Sequence, residues 1–389
     1  MIRVGFVLAN SASWTGGLIY LRNLITTVMA LPNRQIEPVL ITTPETPDAD
    51  LLGFEAITVL RTPLVGQGRG PRVLRKASAV LLGRNLPLER FLRRNRINVL
   101  SHSGILGAKA KVPSIAWLPD FQHVRMPEFF QPAEVEARDR GYARIAAEAD
   151  LILLSSEDAK RDLAKFAPEG LGKSRILHFT AGMVRADDAR GAPFLAETYG
   201  LDRPYFYLPN QFWKHKNHGL VIDALALLAK DGDAPLVVST GKAEDRRNPT
   251  YFTELLAHAA ALGVGDNFRV LGLVPYDHLS VLSREAVALI NPSHFEGWST
   301  TVEEAKSMGK AIILSDIPVH REQAPERGVY VPTDAPAAMA AAMRSVLAGW
   351  SRGTDEAAMA AATAALPARR RAFGETYQRI VLEAVARDA

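Results

Sequence analysis

Short apolar runs alternate with helix-patterned segments along almost all of this chain, and that alternation leaves few folds open. In the first half the runs lie at residues 2–9, 38–42, 97–101, 114–118, 150–155 and 175–179. They are apolar with no two-residue alternation, as strands covered on both faces are. Helical patterns sit between them, notably at 18–31 and 157–166. Strand and helix in alternation predict a parallel sheet with helices on both faces. Residues 181–204 (AGMVRADDARGAPFLAETYGLDRP) are polar, contain glycine and carry no strong period, so they read as a linker. The alternation then restarts, with strands expected at 205–208, 236–239, 268–271, 287–290, 311–314 and 328–331. Helices are expected at 220–228, 251–262, 278–283, 301–308 and 335–347, and a long helix at 371–386 closes the chain. The alanine-rich stretch 335–365 fits a good helix former.

Composition narrows the function. A chain of 389 residues, at roughly 150 per domain, reads most simply as two domains. With 48% hydrophobic and 23% charged residues, it is neither disordered nor fibrous. It has no cysteine, which excludes a disulfide scaffold, thiolate zinc, iron–sulfur clusters and a cysteine nucleophile. The first residues form a strand-like run without a cleavage pattern, and no stretch approaches the roughly 18 apolar residues of a membrane span. The expectation is a soluble cytoplasmic protein.

The most informative segment is NPSHFEGWSTTVEEAKSMGKAIILSD, residues 291–316. A strand ends near Asn291, a loop carries Glu296, and a helix begins near Thr301. Thr300 and Glu303 have capping-box spacing. The free N–H groups and positive dipole end at such a start suit a phosphate, which makes Ser299, Thr300 and Thr301 candidate phosphate-binding residues. Glu304 lies eight positions beyond Glu296. Two carboxylates flanking a helix start can each accept paired hydrogen bonds from a vicinal diol, one on a sugar and one on a ribose. Chance alone supplies about one such glutamate pair in a chain of this acidity; the strand, loop and cap around it give it force.

This segment resembles the Glu-seven-Glu signature of retaining family-4 glycosyltransferases, whose fold is GT-B, an α/β architecture of two Rossmann-like domains facing each other across a cleft. The resemblance extends over nearly the whole chain. It implies an N-terminal acceptor-side domain (1–183), a C-terminal nucleotide-sugar domain (184–370), and a C-terminal helix (371–389) packing back on the first domain. NSASWTGG, residues 10–17, matches the loop after the first strand, where Gly16 and Gly17 approach the donor; the plain alternative is a tight turn before a helix. LPNQFWKHKNHGL, residues 208–220, puts Lys216 on the family's diphosphate-binding lysine. Asn210 stands where an arginine is usual, so Lys214, His215 or backbone groups would have to compensate. In Trp117-Leu118-Pro119-Asp120-Phe121-Gln122-His123, His123 matches a histidine that contacts the donor sugar; a buried or surface structural histidine is the alternative. Leu271-Gly272-Leu273-Val274 is similar to the loop edging the nucleobase, with Val274 at the base.

The resemblance implies transfer of a hexose-type sugar from a nucleotide diphosphate sugar to a glycan or lipid-linked acceptor, with retention of configuration. In the roles it implies, Glu296 and His123 serve the sugar, Lys216 the diphosphate and Glu304 the ribose. It implies no metal and no cofactor beyond the donor substrate. Two Asp-x-Asp triplets, Asp48-Ala49-Asp50 and Asp231-Gly232-Asp233, sit in polar turns and are read as turn residues. A nucleotide-sugar epimerase or phosphorylase on the same fold remains an alternative. A nicotinamide dehydrogenase would need a Gly-x-Gly-x-x-Gly turn, which is absent.

Charge is uneven. Net charge is only +4, yet Arg61, Arg69, Arg72, Arg75, Lys76, Arg84, Arg90, Arg93, Arg94 and Arg96 crowd residues 61–96 with Glu89 the single acid among them. A non-catalytic nucleic-acid-binding protein is one reading, but Phe91 is the one aromatic there to stack on bases, so no nucleic-acid partner is expected. From Val73, the residues Val73, Leu74, Ala77, Val80 and Leu81 share a helical face beside Arg72, Arg75 and Lys76. A second pattern from Pro87 alternates Leu88, Phe91 and Leu92 with Arg90, Arg93 and Arg94. Either residues 72–96 lie in the headgroups of an anionic membrane at its cytoplasmic face, or both apolar faces pack on the first domain's sheet.

Overall fold

The computed structural model describes residues 1–8, 15–66, 68–181 and 190–387. They fall into two compact units. One comprises Met1–Phe121, Ala133–Thr180 and Ala368–Ala389, the other Gln122–Pro132 and Ala181–Pro367. The expected boundary at 183/184 lies outside the described residues.

The first unit runs β1 (Ile2–Leu8), α1 (Thr15–Met29), β2 (Ile36–Thr42), β3 (Thr58–Arg61), α2 (Arg69–Leu82), α3 (Leu86–Arg94), β4 (Val99–Ser101) and β5 (Ser114–Leu118). The short α4 (Gln122–Arg125) follows, then α5 (Pro132–Glu148), β6 (Leu151–Leu154), α6 (Glu157–Phe166) and β7 (Ser174–Ile176). The strands form a parallel sheet in the order β3-β2-β1-β4-β5-β6-β7. On one face of β1, Val4, Phe6 and Leu8 share a core with Leu21, Leu24 and Ile25 of α1, and on the other a Cβ at Gly5 would meet Ile41, Ile97 and Leu100. α6 starts where Ser156 accepts a hydrogen bond from the Ala159 N–H at 3.0 Å.

The second unit runs α7 (Ala192–Tyr199), β8 (Tyr205–Leu208), α8 (His218–Lys230), β9 (Leu236–Thr240), α9 (Tyr251–Ala261), β10 (Phe268–Gly272) and α10 (Tyr276–Glu285). It continues with β11 (Leu289–Asn291), α11 (Thr300–Met308), β12 (Ile312–Ser315), α12 (Pro318–Gln323), β13 (Gly328–Val331) and α13 (Pro336–Gly349). Its strands are parallel, in the order β10-β9-β8-β11-β12-β13. Strand order reverses between β8 and β11, and open sheets of this type hold ligands at that point, beyond the strand ends.

Several expectations need correction. The closing helix α14 begins at Arg352, not 371, and runs to Ala386 with Pro367 inside it. Its last turns place Phe373, Tyr377, Ile380, Val381 and Ala384 in the first unit's core. α7 occupies part of what reads as linker: Pro193 opens it and Gly200, left-handed at φ 63°, ends it. The two basic patterns also part company. α3 buries Leu88 and Leu92 in the core, whereas α2 buries nothing.

Candidate functional site

The site grows from the two strand ends that the chain reversal brings together. Past β8, the side-chain amide of Asn210 donates to Asn291 Oδ1 at 3.3 Å, at the end of β11. Asn291 Nδ2 donates in turn to Ser299 Oγ at 2.6 Å and lies 3.5 Å from Glu296 Oε1. Ser293 Oγ sits 2.6 Å from Asn291 Oδ1 and 2.8 Å from Glu296 Oε1. Thr301 Oγ1 faces Asn210 Oδ1 at 3.4 Å. Asn210, Asn291, Ser293, Ser299 and Thr301 are all buried, so each polar group needs these partners. The bond from Asn210 to Asn291 fills the position where an arginine is expected, and it builds the strand end instead of supplying charge.

Lys216 enters from a short 3-10 turn, Lys214–Lys216, and its ammonium lies 2.7 Å from Glu296 Oε1. The turn is held by Asn217, left-handed at φ 58°, whose amide reaches the carbonyls of Pro292 and Thr333 at 3.1 and 2.8 Å. Gly241, after β9, has φ 150°, and any Cβ there would strike the Asn210 carbonyl. The two groups of the ion pair are nearly buried, with side chains 14% and 10% exposed. Burial alone would raise the Glu296 pKa, but Lys216 and the nearby His320 outweigh it and hold the carboxyl down at about 2. His215, buried and beside Lys216, stays well below the usual imidazole range.

α11 begins in a way the sequence spacing misplaces. Ser299, not Thr300, is the N-cap: its Oγ accepts from the Val302 N–H at 3.3 Å. Glu303 does not close a capping box. It accepts from Gln323 Nε2 at 3.2 Å and from Lys306 at 3.1 Å. Gln323 clamps Ser299 from both sides, accepting from its N–H at 3.1 Å and donating to its carbonyl at 2.9 Å. The Thr300 and Thr301 N–H groups have no acceptor among the described residues, and Thr300 is exposed. Such a start offers donors and a positive dipole end to an anion.

Glu304 stands farther along the same helix. It is half-buried, and no described side chain donates to its carboxyl. Burial pushes its pKa up to about 8. An uncompensated carboxyl in such a place lacks hydrogen-bond donors that a ligand could bring.

Other expected residues lie outside this hydrogen-bonded cluster. Val274 is half-buried just past β10, after Gly272 at φ 68°. His123 is fully buried in α4, within the segment that groups with the second unit, where Arg125 packs 5.6 Å over the Phe295 ring. Lys214 lies 5.9 Å over Phe129, and Arg247 is held by Phe130, Trp213 and Asp245. Asn10, Ser11, Ala12, Ser13 and Trp14 lie outside the described residues. Gly16 and Gly17 belong to the first turn of α1 in the first unit, not to a loop. Of the two Asp-x-Asp triplets, one opens a 3-10 turn and the other follows α8.

Sequence reasoning missed Asn291, Ser293, Gln323 and His320. His320 donates from Nδ1 to the Ser315 carbonyl at 2.9 Å, leaving a buried Nε2 without a described partner. One signal was present: His320 and Gln323 are polar residues three apart, on the inner side of a short helix directly after a strand.

The comparisons agree with this geometry. Residues 197–365 match the family model for glycosyl transferases group 1. No curated protein matches the chain. Among solved structures, a glycosyltransferase from Rickettsia africae is 14% identical with a TM-score of 0.69, over 100% of this chain and 98% of that one. HepE from Anabaena, in complex with UDP and glucose, is 15% identical with a TM-score of 0.68, over 98% and 99%. The lipopolysaccharide outer core galactosyltransferase WaaB, in its apo form, is 15% identical with a TM-score of 0.61, over 98% and 99%. The fold is GT-B, with two Rossmann-like domains, and residues 197–365 are similar to group 1 glycosyl transferases.

Proposed function

We propose that this chain, through its group 1 glycosyltransferase domain, transfers a hexose-type sugar from a nucleotide diphosphate sugar to a glycan or lipid-linked acceptor, with retention and without a metal ion. One observation carries the reading: the ion pair of Lys216 and Glu296 beside the unpaired first N–H groups of α11. A diphosphate at that helix start draws the Lys216 ammonium to itself. Glu296, thereby released, accepts hydrogen bonds from the sugar's hydroxyls. The bare Glu304 carboxyl takes the ribose diol. Val274 borders the base, and His123 lies on the sugar's other side.

Chemistry then rests on positioning and on charge. Lys216 and the N–H groups of Thr300 and Thr301 stabilise the diphosphate as it departs, where charge develops in the transition state. The leaving phosphate accepts the acceptor's proton. Uridine nucleotides are the first donors to try, because HepE is solved with UDP and with UDP-glucose. The cytoplasm, where such donors are made, is the proposed location.

A thermal-shift screen of nucleoside diphosphates and their sugars tests the reading. A ligand at 100 times its dissociation constant stabilises by about 2.7 kcal/mol. A shift with one nucleoside diphosphate, and turnover with a matching sugar in EDTA, is the expected result. A full screen without any shift would overturn it.

A further inference from the structure

The surface that stands out from the rest of the molecule is α2. None of its residues is buried. Of thirteen large apolar side chains exposed among the described residues, five lie on this one helix: Val73, Leu74, Val80, Leu81 and Leu82. Val80 and Leu81 are 84% and 80% exposed, far beyond what a helix covering a core shows. Val73, Ala77, Val80 and Leu81 recur at i, i+4, i+7 and i+8, so they form one stripe, with Leu74 along its edge. The opposite side meets the first unit through Ser78, whose hydroxyl donates to the Arg84 carbonyl at 2.8 Å and accepts from the Leu86 N–H at 3.0 Å. The stripe therefore points away from the protein.

Charge defines what covers it. Arg69, Arg72 and Lys76 lie along one edge of the stripe, Arg75 is half-buried on the inner side, and α2 contains no acid. α3 adds exposed Arg90, Arg93 and Arg94 while its own apolar residues Leu88 and Leu92 are spent in the core. Glu89, the one acid in this stretch, is 2% exposed and paired with Arg84 at 3.3 Å, so it does not offset the surface arginines. An apolar stripe with cations along one edge and no acid on its own helix fits neither bulk water nor a cationic copy of itself. It fits the boundary between headgroups and acyl chains of an anionic bilayer. The helix is about 21 Å long, enough to lie in the plane, and no described helix is long and apolar enough to cross.

We infer that α2 is an in-plane docking helix for anionic phospholipid membranes, with Val73, Val80 and Leu81 inserted and the arginines of α2 and α3 on the phosphates. This role is carried by α2 itself and stands apart from the sugar-transfer reading.

The full chain is sedimented with vesicles of phosphatidylglycerol and phosphatidylcholine, and with phosphatidylcholine alone. Binding is expected with the anionic vesicles, falling with salt. The double variant Val73→Asp, Leu81→Asp should abolish it while leaving the melting temperature unchanged, because both side chains face solvent. Arg72→Ala and Lys76→Ala should each weaken it roughly fivefold. Absence of binding to anionic vesicles at low salt would overturn the inference. So would binding that survives both aspartates, a Leu81-dependent dimer in light scattering, or a preference for a single-stranded oligonucleotide over the vesicles.

Discussion

The Lys216 ammonium lies 2.7 Å from the Glu296 carboxylate, so two residues proposed to bind different parts of one donor hold each other. Breaking one side of a buried pair costs about 3–5 kcal/mol, because the remaining charge is left uncompensated. Lys216→Met should therefore destabilise the protein strongly, and Lys216→Met with Glu296→Gln should recover much of the loss. Urea denaturation of the single and double variants checks this; a single variant as stable as wild type would show that the pair does not form.

The same pair sets an acid limit. Glu296 has its pKa lowered from 4.5 to about 2, so its stabilising contribution is present above pH 4.5 and is lost as pH falls toward 2. Glu296→Gln should flatten the stability curve in that window, as measured by thermal melts across pH.

Glu304 has the opposite sign. Its folded pKa is raised from 4.5 to about 8, so the native state holds a proton that the unfolded chain gives up, and stability falls as pH rises through that interval. A ribose diol donating to the carboxylate would expel the proton. Nucleotide binding near pH 6.5 should release up to one proton, read by calorimetry in buffers of different ionisation enthalpy, and Glu304→Gln should abolish the release. Glu304→Ala should weaken nucleotide binding by about 1.5–3 kcal/mol, roughly 10- to 150-fold.

Glu296→Gln frees Lys216 without removing it. The variant should bind bare nucleoside diphosphate at least as well as wild type, yet lose most turnover because sugar contacts are gone. A parallel loss of nucleotide affinity would assign the carboxylate another task.

Gln323 holds Ser299 at both its N–H and its carbonyl, so Gln323→Ala strands buried groups at the start of α11. A loss of about 1–3 kcal/mol of stability is expected, with weaker diphosphate binding. Unchanged binding and stability would mean that water replaces the amide.

The second unit was legible because its central strands β8, β9, β11 and β12 are buried on both faces and read as plain apolar runs; the half-buried edge strand β13 also lies at the expected 328–331. β3 escaped notice as a four-residue edge strand with exposed ends. α5 did so because it is charged on nearly every side and buries Ala146 alone. In the site, Glu296, Lys216, Asn210 and Ser299 were visible as motif positions. Their mutual bonds were not, since Lys216 and Glu296 are 80 residues apart and Ser299 and Gln323 are 24 apart. Spacing also shifted the cap by one residue, because two threonines follow Ser299 and each could cap a helix.

On donor binding, Lys216 is expected to leave Glu296 for the diphosphate. Calorimetric titration of wild type and Lys216→Ala with a nucleoside and its diphosphate, in EDTA, tests it most directly. The diphosphate is expected to bind wild type much more tightly than the nucleoside does, and Lys216→Ala to remove most of that difference while leaving nucleoside affinity nearly intact. Equal losses for both ligands, or a diphosphate that binds no better than the nucleoside to begin with, would contradict it.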